Sequence, residues 1–220
     1  MINRKGFTLA EVLITLGIIG VVAAMTMPTL ISSFRKHVYV NSLKKAYATW
    51  QNIFHKIQID DGYFTENLYE TEFFRGCFVS TAACEQSMED NLKKYLKVFT
   101  VELPGHHSEN IRYFNINSNP LTALQISANM FKILNADGIV YYLYIRKVGD
   151  DFYTTVYADI NGSKLPNTMG RDLFLIAQIN EAGKLVSKPY DIRDCLGDAI
   201  PSVGYSCLAR IIEAGWQMKY

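Results

Sequence analysis

The chain has 220 residues, 22 Lys and Arg against 21 Asp and Glu, a formal net charge of +1 and an isoelectric point near 7.6. That balance excludes the strongly basic surface of a nucleic-acid-binding protein and any acidic tail, so no nucleic-acid partner is expected. Aromatic residues are plentiful, with 14 Tyr and 12 Phe, mostly after residue 60. Once an apolar N-terminal segment is set aside, the remainder is a single domain large enough for a true core.

The first thirty-odd residues organise the rest. Twenty consecutive residues from Val12 to Ile31 carry no charge. As a helix rising 1.5 Å per residue, such a run covers about 30 Å, the hydrocarbon thickness of a bilayer. Before it come Arg4, Lys5 and Gly6, and at its edge stands one carboxylate, Glu11. A secretory signal has a shorter apolar core, of about 7–15 residues, and a small-residue cleavage site after it. A plain anchor accounts for the length but not for Glu11, since a carboxylate in a spanning helix costs roughly 2.5–3.5 kcal/mol. A buried core helix has no need of so long an uncharged run.

The stretch Arg4-Lys5-Gly6-Phe7-Thr8-Leu9-Ala10-Glu11, followed by the span, resembles the class III leader of type IV prepilins and type II secretion pseudopilins. The resemblance implies that a membrane peptidase cuts after Gly6 on the cytoplasmic side and N-methylates Phe7. It makes Glu11 the glutamate five residues into the mature chain, and Pro28 the helix-loosening proline. The partners it implies are other pilin or pseudopilin subunits, the prepilin peptidase, an inner-membrane assembly platform and membrane lipid. Cutting behind Gly6 leaves the span on the mature protein. The new Phe7 amine then lies one helical turn from Glu11, and in a filament of staggered subunits Glu11 could meet a neighbour's amine instead. An unpaired charge in a low-dielectric core is expensive, so such a pair would set register and make Glu11 an assembly residue.

Charge alone barely orients the span, because Arg35 and Lys36 follow it. The leader decides. It implies a single-pass protein of the bacterial cytoplasmic membrane with its C-terminal domain outside, later drawn into a pilus or pseudopilus.

Val40, Leu43, Ala46, Tyr47, Trp50, Ile53, Phe54 and Ile57 recur at helical spacing, with Lys44, Lys45 and Lys56 on other faces. The spacing predicts one helix over about 8–58, apolar all round in its first half and on one side in its second, kinked or loosened near Pro28. The alternative is two helices broken at Ser32-Ser33. Asp60-Asp61-Gly62 closes the helix. The expected domain plan is a leader at 1–6, a membrane and assembly helix at 7–31, and a globular part at 32–220 that begins with the amphipathic helix 32–58.

Residues 63–110 are hard to read. Leu92 to Val98 is a candidate short helix, and Pro104-Gly105 marks a turn. His106-His107 is a surface loop, since neighbouring residues face apart and no third ligand stands near. From about Ala128 the pattern becomes β. Met130–Leu134 and Ile139–Arg146 flank the hairpin turn Asn135-Ala-Asp-Gly138, and Phe152–Ile160 follows the turn Gly149-Asp-Asp151. Leu173–Ile179, Asn180-Glu-Ala-Gly183 and Lys184–Ser187 form a second hairpin. The expectation is an α+β fold: a long N-terminal helix on an antiparallel sheet, over about 128–187, of three or four strands. The resemblance implies the same pilin-like arrangement.

Cys77, Cys84, Cys195 and Cys207 form two sequence-local pairs without C-x-x-C spacing, which favours disulfides over zinc for a chain lying outside the cytoplasm. Three connectivities exist, and Cys77–Cys84 with Cys195–Cys207 is the economical one. Ser206 can cap a helix over 207–213 that Gly215 ends, with Trp216 packed beyond it. The C-terminal cysteine loop resembles loosely the disulfide-bounded loop of type IV pilins.

Asp159, Asn161, Asn167 and Asp172 offer oxygen ligands in one loop, a candidate calcium site. The spacing departs from an EF-hand, whose sixth and twelfth positions would be Lys164 and Gly170 here. Some major pseudopilins use a calcium-binding β-loop, which this one resembles in kind. The alternative is a structural loop whose Asp and Asn bond their own backbone. No other cofactor is expected. No G-x-S-x-G, H-E-x-x-H, P-loop or G-x-G-x-x-G occurs, and His37, His55, His106 and His107 flank no nucleophile. A structural filament subunit is therefore expected rather than an enzyme, a minor one given the size of its domain. The second expectation is a membrane-anchored binding module, such as a tip or DNA-uptake protein.

Overall fold

The apolar and amphipathic stretches fold as one helix, α1 (Leu9–Asp60), whose helical backbone continues through Pro28 and through Ser32-Ser33. The structure is a computed structural model describing residues 6, 8–60, 66–78, 81–106, 111–121, 129–162, 164–186, 195 and 204–220. The predicted cap residues Asp61 and Gly62, together with His107, lie outside the described residues. The chain divides into two units, Met1–Val38 and Tyr39–Tyr220, and α1 contributes to both.

In the first unit the helix buries almost nothing: Leu9 is 80 % exposed and Met25 73 %. Among the described residues, this is the one helix long and apolar enough to cross a membrane. Its polar side chains turn inward on the backbone. The hydroxyls of Thr15, Thr26 and Thr29 donate to the carbonyls of Val12, Val22 and Thr26 at 2.8–2.9 Å. Hydrocarbon provides no water to satisfy such groups, so local bonding of this kind suits a lipid setting.

In the second unit α1 buries Val40, Leu43, Ala46, Trp50, Ile53, Phe54 and Ile57, while Tyr47 is half-buried. The predicted stripe is therefore the core face. It packs on a five-stranded antiparallel meander in the order β1 (Val98–Glu102), β2 (Phe131–Asn135), β3 (Val140–Val148), β4 (Asp151–Asp159) and β5 (Leu173–Ile179). Side chains alternate between faces with period two. Ile133, Tyr141, Leu143, Val156 and Ala158 meet the helix side, and Trp50 meets the edge of Tyr141 at 5.7 Å. Val140, Tyr142, Tyr157, Leu173 and Leu175 form a second cluster with Tyr113, Met130 and Met169 on the opposite face. Both faces are thus buried, and the outer one is covered by segments near Tyr113 and Met169.

Three details differ from the sequence expectation. The sheet gains a fifth strand, β1, where a short helix was expected at Leu92–Val98. The helix α3 (Thr81–Tyr95) lies earlier, after the small helix α2 (Glu72–Arg75). The reason is local: α3 anchors itself through buried Met88 and Leu92, and the chain turns out of it at Leu96. The described residues of the expected strand, 184–186, form no strand, and Ser187 lies outside the described residues. The chain returns from the turn Asn180–Gly183 to a single bridge, Ile179↔Leu185, with Val186 N–H donating to the Gln178 carbonyl at 2.8 Å. The helix α4 (Cys207–Glu213) forms where expected, but the Ser206 hydroxyl does not cap it. Ser206 has φ −88° and ψ 4°, away from the extended backbone that brings a cap hydroxyl onto the next turn.

The turn Asn135–Gly138 has the expected form. Gly138, at φ +82°, donates to the Asn135 carbonyl at 3.0 Å, and Asn135 N–H donates to Ile139 O at 3.0 Å. Two disulfides close, Cys77–Cys84 and Cys195–Cys207, which is the economical pairing. Trp216 packs on Tyr47 at 6.0 Å between centroids, with the Lys44 ammonium 5.4 Å above its ring.

Candidate functional site

The N-terminal end of α1 is a capping box. Thr8 N–H and Thr8 hydroxyl both donate to Glu11 Oε2 at 2.8 Å, and Glu11 N–H donates back to Thr8 Oγ1 at 3.3 Å. Thr-x-x-Glu at a helix start satisfies backbone donors that the helix itself leaves unmatched. Glu11 therefore has a partner inside a single chain. Sequence reasoning placed Glu11 but not Thr8, although the three-residue spacing carries that signal. Gly6 is exposed, and a Cβ placed on it would meet nothing within 4 Å. Phe7, the expected new N-terminus, lies outside the described residues. Pro28 sits in the exposed first half of α1.

The loop from Asp159 to Asp172 brings its four candidate ligands onto one polar seam under the outer face of the sheet. Asp159 and Asp172 are both fully buried. Asp159 Oδ2 accepts from the Tyr113 hydroxyl at 2.7 Å, and Asp159 Oδ1 accepts from Asn161 N–H at 3.3 Å. Tyr113 also shares a hydrogen bond of 2.9 Å with Tyr142. The Asp172 carboxylate takes Asn167 N–H at 2.8 Å and Thr168 N–H at 2.5 Å. Burial pushes the Asp159 carboxyl up to about 8, against the Tyr113 hydrogen bond and with help from the nearby Asp172 charge. Asp172 is raised by burial too, opposed by the Thr168 and Asn167 amides.

The two amide oxygens of this seam differ from the carboxylates. Asn161 Oδ1 and Asn167 Oδ1 are buried without a hydrogen-bond partner, although Asn161 Nδ2 donates to Tyr39 at 3.2 Å. Buried orphan acceptors are uncommon and call for a reason. No group of three or more His, Cys, Asp or Glu able to hold a metal occurs among the described residues. The loop thus combines the backbone-binding carboxylates of a structural loop with two unsatisfied oxygens.

Residues 1–27 match the family model for the prokaryotic N-terminal methylation motif. The chain carries the prepilin-type signature of type IV pilins and pseudopilins. The motif ends one residue before Pro28 and covers the leader, Glu11 and most of the span of this pilin-like chain. No curated protein and no solved structure is significantly similar to it. Beyond residue 27, its likeness to pilins therefore rests on the fold itself: a long N-terminal helix packed on an antiparallel sheet. Together the motif and the apolar helix indicate a structural, membrane-anchored, single-pass protein of the kind that assembles with other pilin subunits after processing by a prepilin peptidase.

Proposed function

We propose that this protein is a subunit, and a minor one, of a type IV pilus or type II secretion pseudopilus. In this reading residues 1–6 are a leader removed between Gly6 and Phe7, 7–31 the membrane and assembly helix, and 32–220 the globular domain. The protein is stored in the cytoplasmic membrane with the globular domain outside. It is then drawn by the assembly platform into a fibre whose centre is made of apolar helices. The observation that carries the reading is the methylation motif running directly into an exposed apolar helix. Loss of lipid contact on extraction must be replaced by helix–helix contact, because that surface is too apolar to face water. The minor role is supported by the size of the domain. Mass spectrometry of the N-terminus of membrane-purified protein tests the processing. An N-methylated Phe7 is expected, and a retained Met1 overturns the reading.

Within that reading the Asp159–Asp172 loop is a calcium site built from Asp159, Asn161, Asn167 and Asp172. The supporting observation is the pair of orphaned amide oxygens beside two buried carboxylates. A divalent cation takes oxygen ligands of this kind and offsets the cost of burying two carboxylate charges together. Melting with calcium and with chelator tests it. A higher Tm in calcium that Asp172→Asn removes is expected, and equal Tm values exclude the site.

A further inference from the structure

The stem of α1 carries one sign of charge. Between Glu11 and Asp60 the sequence holds no Asp or Glu, whereas Arg35, Lys36, Lys44, Lys45 and Lys56 all fall there. In a chain whose formal charge is only +1, such a separation calls for an anionic partner. Two of these cations are engaged within the globular unit. Lys45 Nζ lies 3.0 Å from Asp137 Oδ2, and the Lys44 ammonium sits 5.4 Å above the Trp216 ring. Arg35 and Lys36 belong instead to the unit Met1–Val38, where they stand between Phe34 and His37. Phe34 is 68 % exposed, Arg35 and His37 are exposed, and Lys36 is half-buried.

Their depth narrows the partner. The helix is continuous past Ile31, so Arg35 to His37 lie roughly 6–9 Å beyond the end of the apolar run. A bilayer's headgroup layer occupies about 5–8 Å beyond the hydrocarbon on each side. Successive helical residues point about 100° apart, so the side chains from Phe34 to His37 are spread around most of the helix. Such a ring suits a partner that surrounds the helix, as lipid does, better than one docked on a single side. A guanidinium fork, an ammonium and an imidazole N–H all donate to phosphate oxygens, and Phe34 stands nearest the hydrocarbon. We propose that Phe34, Arg35, Lys36 and His37 form a collar that holds the phosphates of anionic phospholipids in the outer leaflet. The collar rests on the reading of α1 as a spanning helix with the domain outside. Cations on that side run against the usual inward bias of positive charge. Removal of the leader takes Arg4 and Lys5 with it, which leaves Arg35 and Lys36 as the Arg and Lys at the membrane edge.

The test is electron paramagnetic resonance of the full-length protein in phosphatidylcholine vesicles that carry a trace of acyl-chain spin-labelled lipid. Arg4→Gln and Lys5→Gln are present throughout, so that the leader adds no cation. At low salt, labelled phosphatidylglycerol should associate about threefold more strongly than labelled phosphatidylcholine. One surface cation is worth about fivefold at its own lipid, and the label averages over the helix's other lipid neighbours. Arg35→Gln combined with Lys36→Gln, which keeps good helix formers in place, should abolish the preference, as should high salt. Lys56→Gln, farther along the stem, should leave it unchanged. Equal association of the two lipids, or a preference that survives Arg35→Gln with Lys36→Gln, overturns the collar and leaves the span standing. Absence of a motionally restricted signal from either lipid overturns the span itself, and the collar with it.

Discussion

Thr8 and Glu11 close on each other at the start of α1, with both donors of Thr8 on one Glu11 oxygen at 2.8 Å. The carboxylate thus has a use in the single chain. In the proposed fibre it would exchange that partner for a neighbour's amine, and the single-chain set is weak enough to give up because it lies at an exposed helix end. Glu11→Ala should still fractionate with membranes at wild-type level but be absent from sheared fibres, read by immunoblot of the two fractions. Thr8→Val, which keeps Glu11 free to pair with a neighbour, should retain fibre incorporation. If Glu11→Ala enters fibres normally, the carboxylate has no assembly role.

Trp50 is fully buried between Phe54 and Tyr141, at 5.5 and 5.7 Å between centroids. Truncating it to Ala removes the largest side chain at the helix–sheet contact, at a cost of about 3–5 kcal/mol. Chemical denaturation should show that loss. Trp216→Ala, at a half-buried ring on the helix flank, should cost much less.

The seam at Asp159 makes stability pH-dependent in an unusual direction. Its folded-state value of about 8 lies above the ordinary 3.8, so the folded protein binds this proton more tightly than the unfolded chain. The contribution is whole below about pH 4 and is lost as pH rises toward 8. The groups facing Asp159 are Tyr113, Tyr142 through Tyr113, and Asp172, and none of these is a cation that would reverse the sign. In chelator, the urea midpoint should therefore fall between pH 5 and pH 8, and Asp159→Asn should flatten that slope. A midpoint that rises over this range in the wild type would show that Asp159 is ionised when folded.

Gly170 has φ +83°, and a Cβ on it would lie 2.5 Å from Cys207 Sγ. The Tyr220 hydroxyl also donates to its carbonyl at 2.7 Å. Gly170→Ala is strained in both backbone and packing, so it should lower Tm and leave Cys195 and Cys207 partly reduced. Titration of free thiols in the purified variant measures the second effect. Gly138→Ala, with open space around its Cβ, should cost only the backbone strain and leave both disulfides intact.

Much of the fold was legible because it was periodic. The stripe from Val40 to Ile57 was readable since one helix face meets one core, and Tyr141, Leu143, Val156 and Ala158 were readable since a strand alternates. β1 was not, because five residues with Phe99 at a register shift and 71 % exposed show no alternation. Nor were α2 and α3, whose buried Phe73, Phe74, Met88 and Leu92 come from short elements that gain their order from one another and from the Cys77–Cys84 bond. In the loop, Asp159 and Asp172 stood out as oxygen ligands. Their surroundings did not, because Tyr113 lies forty-six residues from Asp159.

The sequence by itself carried the methylation motif and the apolar span, since hydrophobicity and charge order are local properties of contiguous residues. It also determined that a helix stripe and a set of strands must meet. The tertiary structure alone decided that the sheet has five strands buried on both faces, that the Tyr113 hydroxyl reaches Asp159, and that Asn161 and Asn167 keep unpartnered amide oxygens. Those facts depend on contacts between groups far apart in the chain, or on which of several competing partners a polar atom finds, and hydrophobic pattern carries neither.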